Sequence, residues 1–241
     1  MEFSATTVEP EILIPAGWEI AHDQFRLPID PQPRTFAEGG PKLQCTTEGN
    51  LLTAHSSRVN FTFDKSSGLV TSYKVKGTEY FNEGFGIQPN FWRAPNDNDY
   101  GSQEPKRLQI WKESSRNFKV VDATLTMDGE DAVLKASYLL AAGNLYIATY
   151  RIHPSGVVKA DYTFTSTEMA AAETEVSEAT RLATFTPGNE ALRKESSKLV
   201  VPRIGVRFRL PANMNQVTYF GRGPEENYID RNNGTLVGLY K

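Results

Sequence analysis

From Leu43 onward, apolar and polar positions alternate in short runs that turn residues interrupt about every 8–12 residues. Asn60-Phe61-Thr62-Phe63 and Leu69 to Val75 flank Asp64-Lys65-Ser66-Ser67-Gly68, a connection of hairpin length that contains glycine. Lys76-Gly77-Thr78 reads as the next turn, and Tyr80-Phe81 leads on from it. Four longer extended runs follow, Val120 to Met127, Ala132 to Leu140, Leu145 to His153 and Val157 to Ser166. Asp128-Gly129, Ala142-Gly143-Asn144 and Pro154-Ser155-Gly156 separate them. Strand resumes over Ser197 to Leu210, where Ile204, Val206 and Phe208 alternate with Arg203, Arg207 and Arg209, and again at Val217 to Phe220. The pattern predicts an all-β protein built as a large β-sandwich.

Three regions depart from this rhythm. Gln103 to Phe118 carries Leu108, Ile110 and Trp111 among charges and fits one or two helical turns. Glu168 to Glu190 is rich in Ala, Glu and Thr, and helix and a wandering strand remain equal readings of it. Residues 1–28 hold two or three short extended stretches, among them Trp18 to Leu27, where the alternation is imperfect. So few strands do not make an independent sheet domain, which suggests the last part of a domain begun elsewhere. Residues 29–41 then read as a linker, with Pro31, Pro33, Gly39, Gly40 and Pro41 and few apolar side chains. The predicted division is therefore 1–28, a linker at 29–41, and a β domain over 42–241.

Composition narrows the function classes. At 241 residues with a formal net charge of −3, the chain is long enough for a substantial core and has no basic footprint, so nucleic acid is not expected as a partner. Cys45 stands alone, which excludes an intrachain disulfide framework and a cysteine-based zinc cluster. No apolar run approaches the roughly 18 residues of a membrane span, and the first residues lack the basic and apolar regions of a signal peptide. Compartment stays open: the chain reads as cytoplasmic or as a piece of something longer whose signal is missing.

Candidate chemistry concentrates in two stretches. The first is Phe91-Trp92-Arg93-Ala94-Pro95-Asn96-Asp97-Asn98-Asp99-Tyr100-Gly101, read as a packed strand end breaking into a fixed, exposed polar turn. Such segments on a rigid scaffold often carry binding groups. An EF-hand reading fails, because from Asp97 the fifth position is Gly101 and the twelfth is Leu108. Glycoside cleavage needs two carboxylates about 5–10 Å apart. Asp97, Asp99, Glu225, Glu226 and Asp230 qualify by residue type only, so no catalytic residue is assigned. Arg93 is expected to pair with a downstream carboxylate, and His153, before Pro154, to serve a turn. The second stretch is Tyr219-Phe220-Gly221-Arg222-Gly223-Pro224-Glu225-Glu226-Asn227-Tyr228-Ile229-Asp230-Arg231. Its Gly-x-Gly lacks the third glycine and the helix of a phosphate loop.

These stretches carry a resemblance. The first resembles the F-W-R-A-P-x-D-N-D-x-G segment of the large β-galactosidases of glycoside hydrolase family 2, and the second resembles that family's Y-x-G-x-G-P-x-E-N-Y-x-D-R segment. Ile14 to Phe25 is similar to the end of the preceding domain in the same family. The resemblance implies that residues 1–28 end an immunoglobulin-like sandwich. It implies further that residue 42 onward begins a β-supersandwich of galactose-mutarotase-like fold, ending before the family's last strands. The family's catalytic glutamates and Mg²⁺ belong to a barrel outside these residues, so no cofactor and no metal site are expected here. The implied partners are that barrel and the other domains of a homo-oligomeric parent, with a β-galactoside as the parent's substrate and no membrane. By the same resemblance Arg93, Asn96, Asp97, Asn98, Asp99, Gly101 and Ser102 lie near substrate. Gly101 would then act as a hinge for a mobile loop over Ser102 to Arg107. Trp92, Gly221, Gly223, Pro224, Glu226, Asn227, Tyr228, Asp230 and Arg231 have structural roles. Two alternatives stay open: a free-standing carbohydrate-binding sandwich stacking sugar on exposed Trp92, Trp111 or Tyr100, and a purely structural or oligomerisation domain.

Overall fold

Residues 1–29, 39–140, 143–165, 201–227, 232 and 234–241 are described by a computed structural model of the chain. They fall into two compact units, Met1–Arg34 with Ala212–Lys241, and Thr35–Pro211. In the first unit, β1 (Glu2–Thr6) pairs antiparallel with β2 (Glu19–Gln24). Most of this pair is exposed, including Ile20 within β2 and Trp18 just before it.

The second unit holds the core. Strands β3 (Gln44–Glu48), β4 (Leu51–His55), β5 (Val59–Asp64), β6 (Leu69–Val75) and β7 (Thr78–Glu79) form one antiparallel sheet in sequence order. Each joins the next by a short hairpin. Lys76 and Gly77 both have positive φ, 51° and 82°, the geometry of the tight turn that matches strand twist. A short β8 (Gln88–Asn90) leads into α1 (Asp97–Gly101), α2 (Glu104–Arg107) and α3 (Gln109–Ser114). Next come β9 (Lys119–Asp128), β10 (Asp131–Leu139), β11 (Leu145–Ile152) and β12 (Val158–Thr165), again antiparallel neighbours in order.

The period-2 pattern explains why the two sheets face each other. Phe61 and Phe63 of β5 alternate with half-buried Asn60 and Thr62. On the other sheet Leu134, Ala136 and Tyr138 of β10 and Ala148, Tyr150 and Ile152 of β11 are buried at every second position. Phe61 meets Tyr150 at 5.5 Å between ring centroids, and Phe63 meets Tyr138 edge-on at 6.4 Å. The Tyr138 hydroxyl donates to the Gly68 carbonyl at 3.1 Å and the Tyr73 hydroxyl to Gly156 at 2.6 Å, so these two rings place their polar ends on backbone acceptors. This is the all-β sandwich that the alternation predicts.

Later elements differ from expectation. Only Gly205–Arg207 of the strand expected over Ser197 to Leu210 forms regular strand among the described residues, as β13, paired with β8. Its partner is three residues long and contains Pro89, which has no N–H to give. Ile204 and Phe208 are accordingly about half exposed. The strand expected at Val217 to Phe220 starts and ends later: β14 (Tyr219–Gly223) pairs with β15 (Leu236–Tyr240). Gly221 and Gly223 are therefore strand residues. A Cβ at Gly223 would lie 2.2 Å from the Tyr219 hydroxyl oxygen, so the cross-strand tyrosines occupy the space a side chain would need. Gln24 ties β15 to β2, donating to the Val237 carbonyl and accepting from its N–H, both at 2.8 Å. The segment Glu168 to Glu190 and most of the linker, residues 30–38, lie outside the described residues.

Candidate functional site

The first dense stretch is anchored before it becomes polar. Phe91 is fully buried, edge-on to Tyr146 at 5.3 Å, and its backbone N–H donates to the Ser115 hydroxyl at 2.7 Å. Asn90 donates to the Trp92 carbonyl at 2.9 Å, fixing the chain as it leaves β8. Trp92 is half-buried, with the Lys112 ammonium 5.9 Å from its ring centroid.

The polar residues beyond Pro95 are helical, where an exposed turn was expected. Asn96 caps α1: its side-chain oxygen accepts from the Asp99 N–H at 3.0 Å, and Asp99 accepts from the Asn96 N–H at 2.8 Å. This reciprocal capping box satisfies two N–H groups that a helix start leaves open. Asp97 and Asn98 are exposed in the first turn, and Tyr100 is 63% exposed. Asp99 points inward and is buried, with Arg93 bonded to both of its oxygens at 2.7 Å. The expected pairing of Arg93 with a downstream carboxylate is thus present, in bidentate form. The Asn96 N–H above all, and then Arg93, hold the Asp99 carboxyl below its ordinary range.

Gly101 is the exposed last residue of α1, without a positive φ, and a Cβ there would meet nothing within 4 Å. Ser102 donates from its hydroxyl to the Asp99 carbonyl at 3.1 Å. The left-handed position falls instead on Gln103, φ 58°, between α1 and α2. Ser102 to Arg107 is therefore a helical corner in this structure. Gly101 itself adopts no backbone conformation that requires glycine here.

Trp92, Arg93, Pro95, Glu104, Pro105 and Pro202 line a shallow cleft that encloses only about 10 Å³, room for about one water molecule. That is below the roughly 300–1,000 Å³ of a complete small-molecule site. Trp111 does not reach it as an exposed platform. It is 1% exposed and packs on Phe91 and Phe164, because α3 turns its apolar face to the sandwich and leaves Lys112 and Glu113 on the other side. His153 bonds Ser155 within its own turn, at 2.7 Å to the hydroxyl and 3.1 Å to the N–H. Among the described residues no group of three or more His, Cys, Asp or Glu side chains could hold a metal ion.

In the other unit, Arg222 on β14 donates to the carbonyls of Asn232 and Thr235, at 2.6 and 2.9 Å. Asn227 donates to the Glu225 carbonyl at 2.9 Å and accepts from the Thr235 hydroxyl. Pro224, Glu225 and Glu226 are exposed, while Tyr228, Asp230 and Arg231 lie outside the described residues. Every side-chain role visible here holds a corner between strands. Two residues of consequence had no sequence signal: Ser115, whose hydroxyl binds Phe91 to α3, and Gln103, whose left-handed backbone a glutamine does not announce.

Residues 55–241 match the family described as Beta galactosidase small chain. The chain belongs to that family. A β-galactosidase of Priestia megaterium is 28% identical over 94% of this chain and 19% of its own length. Those of Kluyveromyces lactis and Lactococcus lactis are 29% and 27% identical over 95% and 100% of this chain, and over 20% and 22% of their own lengths. The chain thus spans about a fifth of these curated relatives, as expected of a fragment of a β-galactosidase.

Proposed function

We propose that this chain is a non-catalytic part of a larger β-galactosidase, which hydrolyses terminal β-D-galactosides with retention on a barrel outside these residues. The observation that carries the reading is the family match over residues 55–241, together with relatives about five times as long. In this reading the sandwich buttresses the barrel, residues 1–28 complete an immunoglobulin-like domain, and residues 42–241 belong to a supersandwich. The corner after Asp99 borders the active-site entrance, with Gly101 as the hinge of a loop that moves on binding. The cleft beside Trp92 supports this placement, because it is too small to enclose a sugar unaided and a second domain would complete it. Mg²⁺ and the acid/base and nucleophile glutamates would come from the barrel. No residue group described here fits the metal.

The chain alone should not hydrolyse a β-galactoside, whereas co-expression with a barrel-containing segment from the same coding sequence should restore hydrolysis. Activity of the purified chain by itself would refute the reading. Titration with galactose and lactose separates it from the carbohydrate-binding alternative, which retains exposed Tyr100 and half-buried Trp92 but loses Trp111. Saturable binding by the isolated chain would favour that alternative. A purely structural or oligomerisation role would leave both assays silent even in the reassembled enzyme when the 91–107 segment is altered.

A further inference from the structure

Strand β13 runs beside β8 and continues as an extended pair beyond it, with the Arg209 N–H donating to the Phe85 carbonyl at 3.0 Å and the Arg209 carbonyl accepting from Asn82 at 2.9 Å. Residues two apart on a strand share a face, so Arg207 and Arg209 project together. The Arg209 guanidinium lies 4.2 Å and that of Arg207 5.9 Å from the centroid of the same Phe85 ring. Arg207 also donates to the Ser115 carbonyl at 3.3 Å, which brings it beside Arg116, the next residue in the chain. Arg207 and Arg209 therefore share the Phe85 ring, and the charge of Arg116 acts on Arg207.

Three other arginines of the fold find carboxylates, and Arg222 finds two backbone carbonyls. Arg93, Arg107 and Arg151 each lie within 4 Å of a carboxylate, at 2.7, 3.6 and 2.7 Å. Among the described residues Arg116, Arg207 and Arg209 have none. The contacts of Arg207, at 3.3 and 3.5 Å, are long for charge-assisted hydrogen bonds, which run about 2.7–2.9 Å. An independent feature lies in the same place. Gln88, opposite Arg207 in the β8–β13 register, is only 6% exposed; its amide oxygen takes the 3.5 Å contact from Arg207, and its amide nitrogen is a buried donor without an acceptor. A buried unpaired donor and cations that repel at Arg207 are each unfavourable, and one ligand with several acceptor oxygens and more than one negative charge satisfies both.

We propose that Arg116, Arg207 and Arg209, with the Gln88 amide, form a binding site for a multiply charged oxyanion of the phosphate class. A single carboxylate carries one charge against three guanidiniums. A phosphate group carries about −1.5 to −2 near neutral pH and three strong acceptor oxygens. Partial desolvation, together with the charges of Arg116 and Arg209, lowers the proton affinity of Arg207, as expected where cations meet without an anion. Free phosphate and a phosphate ester share this chemistry.

The test is titration calorimetry of the whole chain with inorganic phosphate at about pH 7.5, where phosphate is mainly a dianion, with ionic strength held constant by sodium chloride. Saturable one-site binding is expected, weakened roughly tenfold or more in R207M and in R209M. Melting of both variants in chloride should be unchanged or higher, since the substitutions relieve repulsion, and this verifies that they fold. Q88M keeps the charge and removes the amide, so weakened binding in it marks a built site. Galactose 6-phosphate against galactose distinguishes the sources: equal affinity for phosphate and the sugar phosphate assigns the site to the phosphoryl group, and tighter binding of the ester assigns it to a sugar phosphate. Absence of saturable phosphate binding at matched ionic strength, or wild-type affinity in the two arginine variants or in Q88M, overturns the proposal.

Discussion

Arg93 holds both carboxylate oxygens of Asp99, six residues ahead, while Asp99 also closes the cap of α1 through Asn96. One carboxylate thus joins the end of the packed strand to the start of the helical corner. Removing the cation leaves Asp99 buried without its ion-pair partner, a larger loss than an exposed pair would give. With Asp99 mostly shielded and Arg93 partly open, Arg93→Met is expected to cost about 1–3 kcal/mol, read as a shifted urea midpoint with an unchanged slope.

Acid should expose the same linkage. The Asp99 carboxyl is held below its unfolded value near 3.9, so the unfolded chain binds more protons in that range and folding stability rises with pH there. The contribution is complete above about pH 4 and disappears as pH falls through the lower, folded value. Asp64 and Glu79, also lowered by hydrogen bonds, act in the same direction. Asp99→Asn should therefore flatten the dependence of stability on pH below about 4 without abolishing it. An unchanged slope would mean that Asp99 is not ionised and bound as described.

Gly101 and Gln103 exchange the roles expected of them. Gly101 is helical and has room for a methyl group, so Gly101→Ala should stabilise the chain by about 0.5–1 kcal/mol. Gln103→Gly should also stabilise, by relieving a left-handed backbone that costs an L-residue on the order of 1 kcal/mol. Thermal melts of the isolated chain measure both. In a complete enzyme the proposed hinge makes a separate prediction: Gly101→Ala should change kcat or KM for a β-galactoside although it stabilises the fold. Unchanged kinetics would remove the hinge and leave the stability result standing.

The sheets were legible because burying one face imposes a period of two, visible in β5, β10 and β11 as aromatic or aliphatic residues at every second position. The 91–101 segment was legible as a special place, since proline, asparagine and aspartate cluster there, and Arg93 could be matched to a carboxylate by charge. Which aspartate turns inward was not, because Asp97 and Asp99 differ only in their position on a helical turn that composition did not reveal. Trp111 shows the same limit: charged neighbours made it look exposed, yet on a helix they lie on the opposite face. The ends of β13 and β14 depend on partners distant in sequence, β8 and β15, and no local pattern records them.

Glu79 gathers more donors than any motif would suggest. Its carboxylate accepts from the Ser72 hydroxyl at 2.6 Å and from the N–H groups of Tyr73, Tyr80 and Phe81 at 2.9, 3.1 and 3.0 Å. These bonds lower its proton affinity, against the opposing effect of desolvation. Glu79→Gln keeps the shape, with its amide oxygen able to take the N–H groups and its NH₂ able to face the Ser72 hydroxyl, but it loses the charge that strengthens these bonds, so a loss of about 1–2 kcal/mol is expected above pH 5. The difference should shrink on acidification, as the wild-type carboxylate is itself protonated. A constant difference across that range, measured by denaturant unfolding, would show that charge at Glu79 does not contribute.

Gly86 sets the sharpest steric test. It is buried between β6 and the start of β8, and a Cβ there would fall 1.5 Å from the Val70 carbonyl oxygen and 2.8 Å from the Phe81 ring. The obstacle is backbone, so no rotamer change relieves it, and the strand carrying Val70 lies in the middle of the core. Its backbone φ is not in the left-handed region, so the requirement comes from close approach rather than from conformation. Gly86→Ala should destabilise by more than about 3 kcal/mol, enough to leave much of a marginally stable chain unfolded. Gly101→Ala is the matched control, the same added methyl placed in open space. Circular dichroism and melting of the two variants side by side decide the point: similar stability for both would contradict the close approach at Gly86.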